Sequence, residues 1–192
     1  MLDYFIKDFA KSLTQISDER YKNCYMVKLK LEKLKASQEK YLYKVNLEKS
    51  NDRFSKIVSE AYRDTNLLSK LTIDLVHYKD NNENSKDRME EKIELLEYWT
   101  TISKDEVAEF SKYTNDINNI HMLDKPIVQG LLILMHLSIL IKEFRTTTIK
   151  FIRPIYAEDD IYIKKVKNTI LGYVNNILCF KCNFTEDAEM RD

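Results

Sequence analysis

The stretch Cys24-Tyr25-Met26-Val27-Lys28-Leu29-Lys30-Leu31-Glu32-Lys33-Leu34 sets the reading of the chain. Cys24, Val27, Leu31 and Leu34 recur in steps of three and four, the spacing that gathers apolar side chains on one face of a helix. The seam continues through Tyr41 and Val45. After a shift of phase it resumes as Leu47, Phe54, Val58, Ala61, Leu68, Leu71, Leu75 and Tyr78. Asp18 stands where an N-cap would, and no Gly or Pro interrupts residues 17–79. Heptad spacing over this length predicts long helices packed as in a coiled coil, with Glu48–Asp52 as a break or a stutter.

Working outward, Asp80–Lys86 is a run of polar turn formers. Beyond it Met89, Ile93, Leu96, Trp99, Val107, Phe110, Tyr113, Ile117 and Ile120 form a second stripe, with Asp87, Glu90, Glu91 and Glu94 near its start. His121–Lys125 reads as a short connector to Pro126, the favoured first residue of a helix. The run Ile127–Ile141 is the most apolar part of the chain. It falls short of the roughly 20 apolar residues that cross a bilayer, so it reads as a covered core helix. Pro154 ends it, and Ile163, Val166, Ile170, Tyr173, Ile177 and Phe180 mark a last amphipathic helix. No internal repeat is evident.

The expected fold is therefore all-α. A long antiparallel, coiled-coil-like helical hairpin spans residues 1–120, turning at 80–86. It continues into a compact helical bundle at 121–182, followed by an acidic tail at 183–192 expected to be disordered.

Composition points the same way. Of 192 residues only 2 are Gly and 2 are Pro, which disfavours phosphate loops, tight hairpins and nucleophile elbows. The 31 basic side chains cancel the 31 acidic ones, against a dedicated nucleic-acid binder. The first 50 residues hold 11 basic and 7 acidic side chains, and residues 51–120 hold 10 and 15, which suits antiparallel helices or an oppositely charged partner. Three Cys and the lack of a basic-then-apolar leader predict an intracellular, cytoplasmic location with reduced thiols.

Chemistry-bearing motifs are few. Cys179-Phe180-Lys181-Cys182 is the sharpest and makes Cys179 and Cys182 the candidate metal ligands. Cys24, His77, His121 and His136 are scattered singly, and a zinc site needs four ligands. Asp74 and His77 resemble half of a di-iron pattern whose second half is missing. Lys28, Lys30, Lys33 and Lys35 are candidate contacts to an anionic surface. No nucleophile elbow, zinc-protease or dinucleotide motif occurs. The sequence thus predicts a non-enzymatic helical scaffold or adaptor without cofactor. Its expected partner is another helical protein or a second copy of itself. The alternative is a BAR-like curved helical dimer bound to a membrane surface.

Overall fold

The protein is described here by a computed structural model that covers residues 2–16, 19–33, 41–77, 96–141 and 144–185. The strands are β1 (Cys24–Lys33), β2 (Leu42–Ser50), β3 (Phe54–Arg63), β4 (Asn66–His77), β5 (Glu97–Thr101), β6 (Thr146–Phe151), β7 (Asp160–Val166), β8 (Thr169–Val174) and β9 (Ile177–Thr185). They form one antiparallel sheet of nine strands in the order β2-β3-β4-β1-β6-β9-β8-β7-β5. Among the described residues three α-helices, α1 (Leu2–Ser12), α2 (Lys104–Thr114) and α3 (Gly130–Leu140), accompany it. The all-α fold expected from the sequence is overturned.

The decisive stretch shows why. Leu29 and Leu31 are 0 % and 1 % exposed, while Lys28, Lys30 and Glu32 face away from the core. That is the period-two pattern of a half-buried strand. The heptad reading counted Val27 and passed over Leu29. Val27 is the extra residue of a bulge between Met26 and Lys28, and it shifts the strand's alternation by one. Combined, the two alternating segments imitate a step of three and four. The same holds in β4, where Leu71 and Ile73 turn inward and Lys70, Thr72 and Asp74 outward.

Scarcity of Gly did not prevent hairpins, because other residues take the left-handed conformation. Asp64 closes β3–β4 at φ 54°, Lys167 closes β7–β8 at 52°, and Asn175 and Asn176 close β8–β9 at 50° and 62°. Two consecutive positive φ values in a two-residue loop match the twist of the flanking strands, and Asn tolerates them better than most residues. At β2–β3 the Asn51 side chain accepts from the N–H groups of Arg53 and Phe54 at 3.0 and 2.9 Å. The predicted last helix, Ile163–Phe180, is thus three strands and their turns. Residues 183–185 belong to β9, while 186–192 and the turn at 80–86 lie outside the described residues.

The chain does repeat, in backbone rather than in sequence. α1-β1-β2-β3-β4 and α3-β6-β7-β8-β9 follow the same order, and each half lays its strands out alike. The halves meet where β1 pairs antiparallel with β6, Lys28 opposite Lys150 and Leu31 opposite Thr147. β5 extends the second half by pairing with β7. α3 occupies the apolar run: Gly130 through Leu134, with Leu137 and Ser138, are buried, but its end shows Ile139 at 65 % exposure. α1 packs against α2 and α3, burying Ile6, Phe9 and Ala10. No helix among the described residues is long and apolar enough to cross a membrane.

Candidate functional site

The site is built by the segment between α2 and α3. α2 starts with a capping box, Ser103 Oγ accepting from Glu106 N–H while Glu106 reaches back to the Ser103 N–H. It ends at Asn115, whose φ of 55° turns the chain sharply. The next residues stitch themselves together. Asp116 Oδ1 accepts from Asn118 N–H at 3.0 Å, and Asn118 Oδ1 accepts from Ile120 N–H at 3.4 Å. Asn118 Nδ2 donates to the Cys24 carbonyl of β1 at 2.8 Å, tying the segment to the other half.

These bonds bring His121 Nε2 to 3.6 Å from Asp116 Oδ2. His121 Nδ1 lies 2.5 Å from the Ile127 carbonyl, which can only accept, so the hydrogen sits on Nδ1. Nε2 is left with its lone pair beside the carboxylate. Burial lowers the pKa of His121 below its usual value of 6.5, outweighing the Asp116 carboxylate and the bond to Ile127, which both raise it. The imidazole is neutral at neutral pH, a poised base next to a carboxylate.

α3 begins against this pair. Its N-cap, Gln129, makes no side-chain cap, so the amide N–H groups of its first turn are not spent on Gln129. Instead Gln129 Nε2 donates to the Val107 carbonyl at 3.0 Å and Ser111 Oγ at 2.7 Å, locking the start of α3 to α2. Gly130 is closely packed there: a Cβ would lie 2.6 Å from Met26 Sδ and 3.0 Å from the Phe151 ring, so either side chain would have to shift. A cavity of about 600 Å³ opens over Asp116, His121 and Gly130 and runs into the first half, walled by Ala10, Leu13, Ile57, Ile73 and Leu75. Carboxylate, neutral imidazole and the start of α3 thus line one largely apolar cavity.

The residues singled out from sequence lie elsewhere. Cys179 and Cys182 are three apart on a strand and so point to opposite faces. Both are buried, and burial pushes their thiols up to about 11 and about 12. No cluster of three or more metal-ligating side chains occurs among the described residues. Lys28, Lys30 and Lys33 belong to β1 rather than to a helix face; Lys30 pairs with Glu32 at 2.7 Å, and Lys33 lies over the Phe144 ring at 3.9 Å. Lys35 lies outside the described residues. His136 pairs with Glu106 at 3.3 Å, and His77 bonds Cys24 and Ser55 rather than Asp74.

Asp116 and Asn118 were missed, and His121 was counted only among the scattered metal-ligand candidates. Their signal was Asp116-Ile117-Asn118-Asn119-Ile120-His121, a carboxylate and an imidazole set among turn formers directly ahead of an apolar helix.

No family model matches the sequence and no curated protein does. Solved structures do match. HtdX from Mycobacterium tuberculosis superposes with a TM-score of 0.70 at 8% identity, over 96% of this chain and 86% of that one. The fold is the hotdog, built twice. A MaoC-like dehydratase from Phytophthora capsici gives 0.62 at 12% identity, over 93% of this chain and 74% of that one. An acyl-CoA thioesterase II from Mycobacterium marinum gives 0.55 at 10% identity, over 97% and 91%. These likenesses overturn the non-catalytic helical scaffold and its BAR-like alternative. Among the described residues, most of the first seam lies in strands β1–β4 of this double hotdog sheet, and part of the second lies in β5 and α2.

Proposed function

We propose that this double hotdog protein is an acyl-thioester hydratase–dehydratase, adding water to a 2-enoyl thioester or removing it from the 3-hydroxy product. The observation that carries the reading is the Asp116–His121 pair, held 3.6 Å apart in the lining of an apolar cavity that the start of α3 also lines. The names of the structural neighbours, a dehydratase and an acyl-CoA thioesterase among them, support it.

The chemistry follows from the placement. A water held between Asp116 Oδ2 and His121 Nε2 gives one proton to the pair as its oxygen bonds to the β-carbon. The π electrons move to the thioester oxygen, where the amide N–H groups of the first turn of α3 hold the enolate charge. The pair then returns its proton to the α-carbon. Water adds with no net change in the enzyme, and dehydration is the reverse. The apolar walls from Ala10 to Leu75 take the acyl chain. Reduced Cys24, Cys179 and Cys182 fit an intracellular location.

Hydration of crotonyl-CoA, followed by loss of its conjugated absorbance, tests the reading. His121→Ala and Asp116→Asn are each expected to cut the rate by about 10²–10⁴. Absence of turnover in the wild-type protein, with both short and long enoyl thioesters, sinks it.

A further inference from the structure

The first half carries a second reactive constellation that the hydration chemistry does not use. Cys24 Sγ lies 3.2 Å from His77 Nδ1, and His77 Nε2 lies 2.9 Å from Ser55 Oγ, which in turn stands 3.2 Å from Ser50 Oγ. With Nε2–H donated to Ser55, the Nδ1 lone pair faces the thiol. This is a nucleophile, a base and an orienting group in hydrogen-bonded sequence.

Their shared location follows from the backbone. The bulge at Val27 reverses the alternation of β1, so Cys24 and Met26 turn to the same inner face as Leu29 and Leu31. Cys24 pairs across the ladder with His77, and Ser55 sits opposite Leu75 one strand further out. Ser55 is fully buried. A second observation points to a ligand. The Tyr21 hydroxyl is buried without a hydrogen-bond partner, its ring stands 6.0 Å from that of His77, and both Tyr21 and Cys24 line the cavity already described. An unspent donor beside a thiol–imidazole pair is what a developing oxyanion requires.

We infer that Cys24 is a second catalytic nucleophile, which takes the acyl group from a thioester bound in the same cavity and passes it to water. This rests on the reading of the cavity as an acyl-thioester site. Cys24 Sγ gives its proton to His77 Nδ1 and attacks the thioester carbonyl, and the Tyr21 hydroxyl donates to the resulting oxyanion. The carbon–sulfur bond to the carrier breaks, and the departing thiolate takes the proton from His77. Water, deprotonated by His77, then attacks the acyl-cysteine. Cys24 leaves, recovers the proton and frees the carboxylic acid. The sum is thioester plus water giving acid plus thiol, with no oxidant or reductant.

Two measurements on the full chain test this. In the first, native protein is treated with iodoacetamide and mapped by mass spectrometry. Cys24 is expected to label while Cys179 and Cys182 do not, and His77→Gln should slow Cys24 labelling by about 10-fold or more. Cys179 and Cys182 also report whether the variant is folded, since unfolding exposes them; His77→Asn is the replacement variant if His77→Gln labels at those positions. In the second, decanoyl-CoA is supplied, and either a decanoyl adduct on Cys24 or release of CoA that Cys24→Ala abolishes is expected. An unlabelled Cys24, or a labelling rate indifferent to His77, overturns the pair. His77-dependent labelling with neither adduct nor Cys24-dependent CoA release overturns the acyl transfer. Alkylation needs no thioester, so a protein that labels as expected but never hydrates crotonyl-CoA removes the hydratase reading alone.

Discussion

The two halves share one backbone plan and fill it differently. In the second half, α3 is apolar nearly all round and lies against an inner sheet face of Ile161, Ile163, Ile170 and Phe180, all buried. Gly172 pairs across the ladder with Phe180, whose ring leaves it no room for a side chain: a Cβ would lie 2.0 Å from that ring. In the first half, α1 buries Ile6, Phe9 and Ala10, and β3 offers Ser55, Ile57, Ser59 and Ala61 to the interior. Of these, Ala10 and Ile57 line the cavity, while Ser59 bonds Ser12 at 2.8 Å. The first half gives the cavity Leu13, Ile73 and Leu75, while α3 and β6 border it from the other side through Gly130, Leu131 and Phe151.

The contrast can be broken most severely at α3. Leu132 is 1 % exposed, and Leu132→Ala is expected to cost about 3 kcal/mol of stability in urea or thermal unfolding. A loss under about 1 kcal/mol would mean the second half is less tightly packed than described. Gly172→Ala comes next, at about 2 kcal/mol from forcing the Phe180 ring aside. Asn118→Ala removes the donor to the Cys24 carbonyl and is expected to cost about 1–2 kcal/mol. Hydration should fall with it, because the segment holding Asp116 and His121 loses its tie to β1.

Filling the hollow sharpens the comparison. Ala10 lines the cavity, so Ala10→Leu should change stability by about 1 kcal/mol or less while shifting preference towards shorter acyl chains. A cost like that of Gly172→Ala would show the first half to be equally full. The smallest effect is electrostatic. Below about pH 6.5 the unfolded chain protonates its histidine while folded His121, whose pKa is lowered, resists. Acidification therefore favours unfolding, from pH 6.5 down to the folded pKa. His121→Gln should remove that part of the acid sensitivity, which pH-dependent melting of the two proteins would show.

The difference between the halves also governs what the sequence revealed. α3 was legible because a helix surrounded by protein must be apolar on most sides, and Ile127–Ile141 stands out as such a run. The strands were not. Their inner faces mix Ser, Ala and Cys with Ile and Leu, and the bulge at Val27 interrupts the alternation, so a weak period of two passed for one of three and a half. Asn175-Asn176 and Asp64 were readable hairpin turns, obscured by an Asn-rich composition. Asp116 and His121 were hidden for another reason. Nothing in their spacing records that the Ile127 carbonyl fixes the imidazole tautomer or that burial keeps the ring neutral.

The link from Asn118 to Cys24 spans 94 positions of chain and crosses between the two copies. While the protein is being synthesised, β1 emerges early and waits for a residue made much later. Until that residue arrives, the segment that carries the carboxylate and the imidazole has no anchor on β1. On the proposed function, a molecule whose two copies have not yet come together lacks this tie and is expected to hydrate enoyl thioesters more slowly.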